Sequence, residues 1–264
     1  MSFRALHVPG QPFVMPNPWD VGSAYMFATL GFSALASTSA GAAFARGLHD
    51  GALSLDEKLA DAVAIKGAVS VPVSADLENC GGAAAQTAAQ AIGQAGKMGL
   101  DGASIEDFSN DPTAPIYDFA LSVERVEAAV EAAKPSGLVL TARAEAMLNP
   151  NPDFNDVLAR ITAFSRAGAD VVFAPGLVTG DQVRAVVRAA GDTPVSVLVG
   201  PGTELTIPVL ANLGVARVSV GSALARLAYG AALDMAEQIR DHGTFSYPDN
   251  VASFARIEGL LPKA

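Results

Sequence analysis

A closed barrel of eight strand-helix units is the fold this sequence predicts, and three observations predict it. Eight short apolar runs recur along the 264 residues, each followed by a stretch of helical character. Strands that alternate with helices build a parallel sheet covered on both faces. The length also suits an eight-unit α/β barrel, which takes about 250 residues. With 50% hydrophobic and 17% charged residues, the chain can bury one large core. The expected organisation is one domain over residues 1–264, with 245–264 as a C-terminal helical tail.

The expected strands, in order, are Phe13–Met15, Ala34–Ser37, Val71–Asp76, Ala103–Glu106, Leu138–Ala142, Val171–Ala174, Val195–Val199 and Val218–Gly221. Helix signals fill the gaps between them. Ser54-Leu55-Asp56-Glu57 has capping-box spacing, and Leu55, Leu59, Ala62 and Val63 continue it as an apolar stripe. Val157, Leu158, Ile161 and Phe164 repeat the pattern before Gly168, as do Val183, Val186 and Val187 before Gly191. Residues 83–99, rich in alanine and glutamine, predict a helix with a weak apolar face. In the tail, Val251, Phe254, Ile257, Leu260 and Leu261 mark a helix-like apolar face that must pack on its own barrel or on a neighbour.

Composition excludes several classes of function. A net charge of -10 without clustered lysines and arginines argues against a nucleic-acid partner. No apolar run reaches the roughly 18 residues of a membrane span, and the start Met-Ser-Phe-Arg-Ala-Leu-His lacks the core of a secretory signal, so the expected location is cytoplasmic with no membrane partner. The single cysteine, Cys80, rules out an internal disulfide and a cysteine metal cluster.

Barrels of this type carry their active sites at the carboxyl ends of the strands. Those ends supply Asn17, Trp19 and Asp20; Ser37, Thr38 and Ser39; Asp76 and Glu78; Glu106 and Asp107; Arg143 and Glu145. The sixth and seventh strands end in Ala-Pro-Gly and Val-Gly-Pro-Gly, so the expected chemistry sits on one side of the mouth. If Pro72–Glu78 is extended throughout, Asp76 and Glu78 point to the same side. Two anions about 4 Å apart repel by roughly 4 kcal/mol at a dielectric of 20, so such a pair calls for a proton, an arginine or a metal. Carboxylates and hydroxyls around one arginine suit Mg²⁺. Each acid alone reads equally as a solvated loop residue or a helix cap. His7, His49 and His242 show no ligand spacing, and only His49, beside Asp50, is placed to reach the mouth. Cys80 has no histidine near it in sequence to make it a nucleophile. Gly200-Pro-Gly202 reads as a phosphate-binding loop or as a plain tight turn.

The strand ends together resemble the isocitrate lyase and phosphoenolpyruvate mutase superfamily. The resemblance rests on Asn17-Pro-Trp-Asp20, Ser37-Thr-Ser-Ala-Gly41, Asp50-Gly51, Pro72-Val-Ser-Ala-Asp-Leu-Glu78, Ser104-Ile-Glu-Asp107 and Ala142-Arg-Ala-Glu145. It implies a Mg²⁺ site, with Mn²⁺ as an alternative, in which Asp76 is the direct ligand and Asp50, Glu78 and Glu106 form an outer shell. It further implies that Thr38 and the backbone of Ser39 and Ala40 hold a substrate carboxylate, that Trp19 and Asp20 join this pocket, that Arg143 binds the opposite end of the substrate or the developing enolate oxygen, and that Arg143 and Glu106 carry the catalysis. Two departures stand out. The Lys-Lys-Cys-Gly-His loop of the family's lyases is replaced by residues 108–117, which carry no cysteine, lysine or histidine to move a proton and leave Asn110, Asp111 and Tyr117 as the candidates for that task. The sixth strand ends in Ala174-Pro175 where relatives carry a glutamate or histidine.

The function expected is a Mg²⁺-dependent lyase that cleaves a carbon-carbon bond of a small 2-oxo acid or 2-hydroxy di- or tricarboxylate through an enolate. A carbon-phosphorus mutase or hydrolase of the phosphonopyruvate type is the first alternative, and a barrel that binds a metal-oxo acid complex without turnover is the second. The resemblance also implies self-association, most simply a tetramer built from two dimers that each exchange the C-terminal helix.

Overall fold

The computed structural model describes residues 2–249 and 251–262. Eight parallel strands run in the order β1-β8-β7-β6-β5-β4-β3-β2. They are β1 (Phe13–Met15), β2 (Leu35–Ala36), β3 (Val73–Asp76), β4 (Gly102–Glu106), β5 (Val139–Arg143), β6 (Val171–Phe173), β7 (Val195–Leu198) and β8 (Arg217–Ser219). No ladder joins β1 to β2, and the barrel closes there through single bonds. Ala36 N–H donates to Pro16 O at 3.2 Å, and Asn17 Nδ2 donates to Ser37 O at 3.3 Å. The eight expected strands are all present. The last one stops at Ser219 rather than Gly221 because the Val220 and Gly221 amides leave the ladder to donate to Asn17 Oδ1, at 3.1 and 2.9 Å.

The helices are α1 (Val21–Thr29), α2 (Ser39–Ala45), α3 (Leu55–Ala68), α4 (Ala85–Lys97), α5 (Phe119–Ala133), α6 (Phe154–Arg166), α7 (Gly180–Ala190), α8 (Ile207–Asn212), α9 (Ala223–His242) and α10 (Phe254–Glu258). Ser54 and Glu57 form the expected capping box at α3. On α6, Val157, Ile161 and Phe164 are buried, each such side chain contributing about 1.5–3 kcal/mol by leaving water. The weak apolar face of α4 is an advantage in packing. Ala88, Ala91 and Ala95 are fully buried, their small side chains letting the helix lie close against α5.

The start of the chain plugs the amino end of the barrel. His7 is buried among Phe3 and Phe13, with edge-on ring contacts at 4.9 and 5.0 Å. Its Nδ1 lies 3.0 Å from Phe3 O, a bond in which the ring must donate, and this leaves Nε2 as an acceptor for Arg217 Nη1 at 3.2 Å. Burial first, and then the Arg217 charge, pull the His7 pKa down to about 3. The unfolded chain therefore binds a proton here that the folded one refuses, and stability is lost as pH falls below about 6.5. Between pH 6.5 and 4.5 the loss from this one group is roughly 2 kcal/mol. His7→Gln, which keeps an acceptor but cannot titrate, should flatten the fall of melting temperature over that range. An unchanged slope would show that His7 does not control acid stability.

The end of the chain is left open. Ala225 is the single buried residue of α9, whereas Leu227 and Leu233 are exposed. Phe254 on α10 is 87% exposed, and Val251 and Leu261 are exposed as well. The tail touches its own barrel through the Thr29 hydroxyl, which donates to Leu260 O at 3.1 Å. Residues 250, 263 and 264 of the expected tail, and Met1 of the expected domain, lie outside the described residues. No helix of the described residues is long and apolar enough to cross a membrane.

Candidate active site

Arg143, at the end of β5, is the hub of the barrel mouth. Its Nη1 donates to Asp76 Oδ1 at 2.8 Å and its Nε to Glu145 Oε1 at 2.7 Å, while Nη2 lies 3.3 Å from Glu106 Oε2. The guanidinium also sits 5.2 Å above the Phe173 ring. Burial opposes its charge, but Glu145, Glu106 and Asp76 outweigh burial and hold its pKa well above the ordinary arginine value. It is a permanent, immobile cation.

The three acids differ in their electrostatics. Burial pushes Asp76 up, yet Arg143 and the Ser39 amide and hydroxyl, at 3.1 and 2.9 Å, more than offset this and leave its pKa below the usual value. Glu106 and Glu145 are more deeply buried, and desolvation raises both despite Arg143. Two raised carboxyls sharing one arginine tend to hold a proton between them. Asp107 sits behind them, its carboxylate accepting from the Glu145 amide at 2.8 Å and from Arg160 at 3.2 Å, with burial raising its pKa to about 6. It positions Glu145.

Asp76 and Glu78 do not share a strand face. β3 ends at Asp76, and Glu78 has a left-handed backbone (φ 50°), so the extended spacing expected for Pro72–Glu78 breaks there. The Glu78 carboxylate instead turns to Lys58 of α3, a buried pair at 2.7 Å. Its other oxygen, Oε1, is buried with no hydrogen-bond partner.

Two cavities meet at Arg143. One, about 240 Å³, runs down the barrel axis past Asp76, Ser104 and Thr141, and Thr38, Ser39 and Ala40 line it too. The other, about 360 Å³, is walled by Glu78, Glu106, Glu145 and Asn110. Ser39, Asp50 and Arg143 belong to both. Asp50 lies in the exposed loop between α2 and α3, where local desolvation and the Asp76 charge raise its carboxyl. A larger space of about 740 Å³ lies beside the mouth, under Asn79 and Tyr117, and includes neither Arg143 nor Asp76.

The structure thus brings together Thr38, Ser39, Ala40, Asp50, Asp76, Glu78, Glu106 and Arg143, but it brings neither Trp19 nor Asp20 to these cavities. Asp20 caps α1, accepting from Ser23 N at 2.6 Å. Trp19 packs edge-on against Phe27, and its Cβ lies where a side chain at Gly41 would have to go, 2.8 Å away. Ser39 spends its amide and hydroxyl on Asp76, and the Thr38 hydroxyl accepts from Gly41 N, so Ala40 is the residue of this turn with its amide free of those bonds. His49 is exposed, and burial raises the Cys80 thiol to about 12, which removes it as a nucleophile. Glu145, Lys58 and Arg217 are site-lining or site-pairing groups that the sequence reading did not assign. For Glu145 the Arg-x-Glu spacing was the available signal.

Residues 108–117 form a closed hairpin, with Phe108 bridged to Ile116 and Ser109 N donating to Pro115 O at 2.8 Å. Asp111 is tied to Thr113 at its tip, and Tyr117 lies under the Arg125 guanidinium in the neighbouring space. Neither faces Arg143.

The acids fit a hard divalent cation. Five carboxylates, Asp50, Asp76, Glu78, Glu106 and Glu145, face two cations, Arg143 and Lys58, and Glu78 Oε1 is an acceptor without a donor. Among the described residues no three acid, histidine or cysteine side chains converge into a ready cage. Mg²⁺ needs one or two carboxylates and keeps several waters, which this donor set can satisfy.

A family model described as phosphoenolpyruvate phosphomutase matches residues 3–240. A solved structure of a candidate lyase/mutase from Burkholderia cenocepacia J2315 superposes with a TM-score of 0.92 at 46% identity, covering 98% of this chain and 93% of that one. A 2,3-dimethylmalate lyase, a PEP mutase/isocitrate lyase superfamily member, does so with a TM-score of 0.84 at 26% identity, over 97% and 92%. An uncharacterized protein of Mycobacterium tuberculosis (strain ATCC 25618 / H37Rv) is 33% identical over 222 residues, 84% of this chain and 82% of that one.

Proposed function

The chain belongs to the phosphoenolpyruvate phosphomutase family, and from that premise we propose that it is a Mg²⁺-dependent lyase acting on a 2-oxo acid or a 2-hydroxy di- or tricarboxylate. The observation that carries this reading is the Arg143 guanidinium, fixed by three acids on the wall common to both cavities. A preorganised cation at that point stabilises the oxyanion that develops as a carbon-carbon bond breaks to an enolate, the kind of interaction worth about 10²–10³ in rate. Asp76 would hold Mg²⁺, or Mn²⁺, directly, with Asp50, Glu78 and Glu106 acting through water, and the ion would supply Lewis-acid polarisation of the substrate's oxygens.

The remaining work falls to side chains. Ala40 N–H, at the start of α2, binds the substrate carboxylate. The Glu106 carboxyl, which burial pushes toward its neutral form beside Arg143, is the group we assign to give a proton to the enolate carbon. This assigns to the barrel wall the task that a loop cysteine performs in the family's other lyases. The buried Phe173 ring lines the axial cavity and shields the enolate from water.

The family model's own description favours carbon-phosphorus chemistry as a second reading. A turnover assay over 2-oxo acids, 2-hydroxy diacids and phosphonates, with Mg²⁺ and with EDTA, separates the two. Metal-dependent cleavage of a carboxylic substrate supports the lyase; turnover of phosphonates alone supports the second reading, and binding without turnover of any of them leaves a non-catalytic barrel.

The exposed apolar residues of α9 and the tail need a cover, since patches of this kind are unusual on a monomer. We propose that a second copy supplies it, in helix-exchanged dimers that pair into a tetramer. Light scattering should give a multimer that persists at high salt, and a chain ending at His242 should assemble less far. A monomeric intact protein would contradict this.

A further inference from the structure

Arg217 is a charge without a counter-ion. It is 3% exposed, at the start of β8, inside the barrel. Its guanidinium bonds three neutral acceptors: Ser196 Oγ through Nε at 3.0 Å, Thr141 Oγ1 through Nη2 at 3.0 Å, and the neutral His7 Nε2 through Nη1. No carboxylate among the described residues pairs with it. Burial, with the like charge of Arg143 second, pulls its pKa down to about 9. Five N–H donors are available to an arginine, so each Nη keeps one hydrogen unused by these bonds. Burying an unpaired charge is costly, and in most proteins such a group is matched by an acid.

What Arg217 does face is the axial cavity, which it lines from below together with Thr141 and Ser74, while Arg143 lines the same cavity from above. Arg143 has its charge met by three acids; Arg217 does not. Thr141, which holds Arg217, and Arg143 are two residues apart on β5, a step of about 7 Å along a strand. A ligand reaching from one level to the other needs several atoms between its ends.

We propose that Arg217 forms an anion subsite on the floor of the axial cavity, taking the far carboxylate of a dicarboxylic substrate whose 2-oxo or 2-hydroxy acid end lies at Arg143. This rests on the functional reading above and adds a specificity to it: diacids of four or more carbons are preferred to pyruvate. Thr141 and Ser196 are positioning residues that hold the guanidinium level.

The test is calorimetric titration of the Mg²⁺-loaded protein with pyruvate, oxaloacetate and 2-oxoglutarate. The wild type should bind at least one diacid tighter than pyruvate by roughly 10-fold to 100-fold, the range of a charge-assisted hydrogen-bonded contact. Arg217→Gln should lose that preference while its affinity for pyruvate stays close to the wild-type value, and Arg217→Lys should recover part of it. A wild type without preference for either diacid overturns the subsite even if Arg217→Gln fails to fold, and so does an Arg217→Gln protein weakened equally toward all three acids. If the wild type binds none of the three, the 2-oxo acid part of the functional reading falls together with the subsite. These results differ, so the two failures are told apart.

Discussion

Arg143→Lys should lower kcat by about two to three orders of magnitude while leaving the fold intact. Lysine keeps one positive charge among Asp76, Glu106 and Glu145, so the acids are not left bare; what disappears is the rigid fork that places separate N–H donors on all three at once and aims the cation at the cavity. An interaction needed only as negative charge develops is lost from kcat rather than from substrate affinity. The variant should therefore bind 2-oxo acids nearly as well as the wild type and melt within a few degrees of it. A large fall in melting temperature with normal turnover per folded molecule would instead make Arg143 a structural ion-pair hub. Arg143→Ala is a poor substitute for this test, because stripping the cation from buried acids typically costs about 3–5 kcal/mol.

Asp76→Ala should abolish the calorimetric signal for Mg²⁺ binding. Loss of a partner outside the direct ligands costs about 10–100-fold in metal affinity or activity, and loss of the direct ligand should cost more. Asp76 is the acid in the mouth whose environment most favours the charged form, through Arg143 and both donors of Ser39, and the charged form is the one a cation needs. Glu78→Gln tests the same site from the other side: it removes the acid whose Oε1 is buried without a donor, and should weaken Mg²⁺ less than Asp76→Ala does. Unchanged Mg²⁺ affinity in a folded Asp76→Ala protein would refute the assignment.

Much of this architecture was legible in the sequence because buried parallel strands read as apolar runs and because caps such as Ser54-x-x-Glu57 are local. What was not legible depends on backbone angles or on distant partners. Nothing in Ala-Asp-Leu-Glu announces that Glu78 turns left-handed and finds Lys58 on α3, 20 residues earlier. Asp20 followed by Ser23 carries a capping signal that outweighs a substrate role, and it could have been read that way. Arg217 was overlooked because the eighth strand was expected to begin at Val218, one residue late; a lone arginine within Val215-Ala216-Arg217-Val218 was the clue. Taking the strand ends together grouped the acids of β3 and β4 with Arg143 of β5; what the resemblance added was Asp50, from the loop before α3, and a division of the acids into a direct ligand and an outer shell.

On the proposed reading this barrel makes an enolate at Arg143. Proton NMR of pyruvate, oxaloacetate and 2-oxoglutarate in D₂O, with the Mg²⁺-loaded protein, tests it without knowledge of the natural substrate. The C3 proton signal of at least one acid should fade faster than in the protein-free sample, and EDTA or Arg143→Lys should abolish the difference. Acids that bind but exchange no faster than without protein would contradict it.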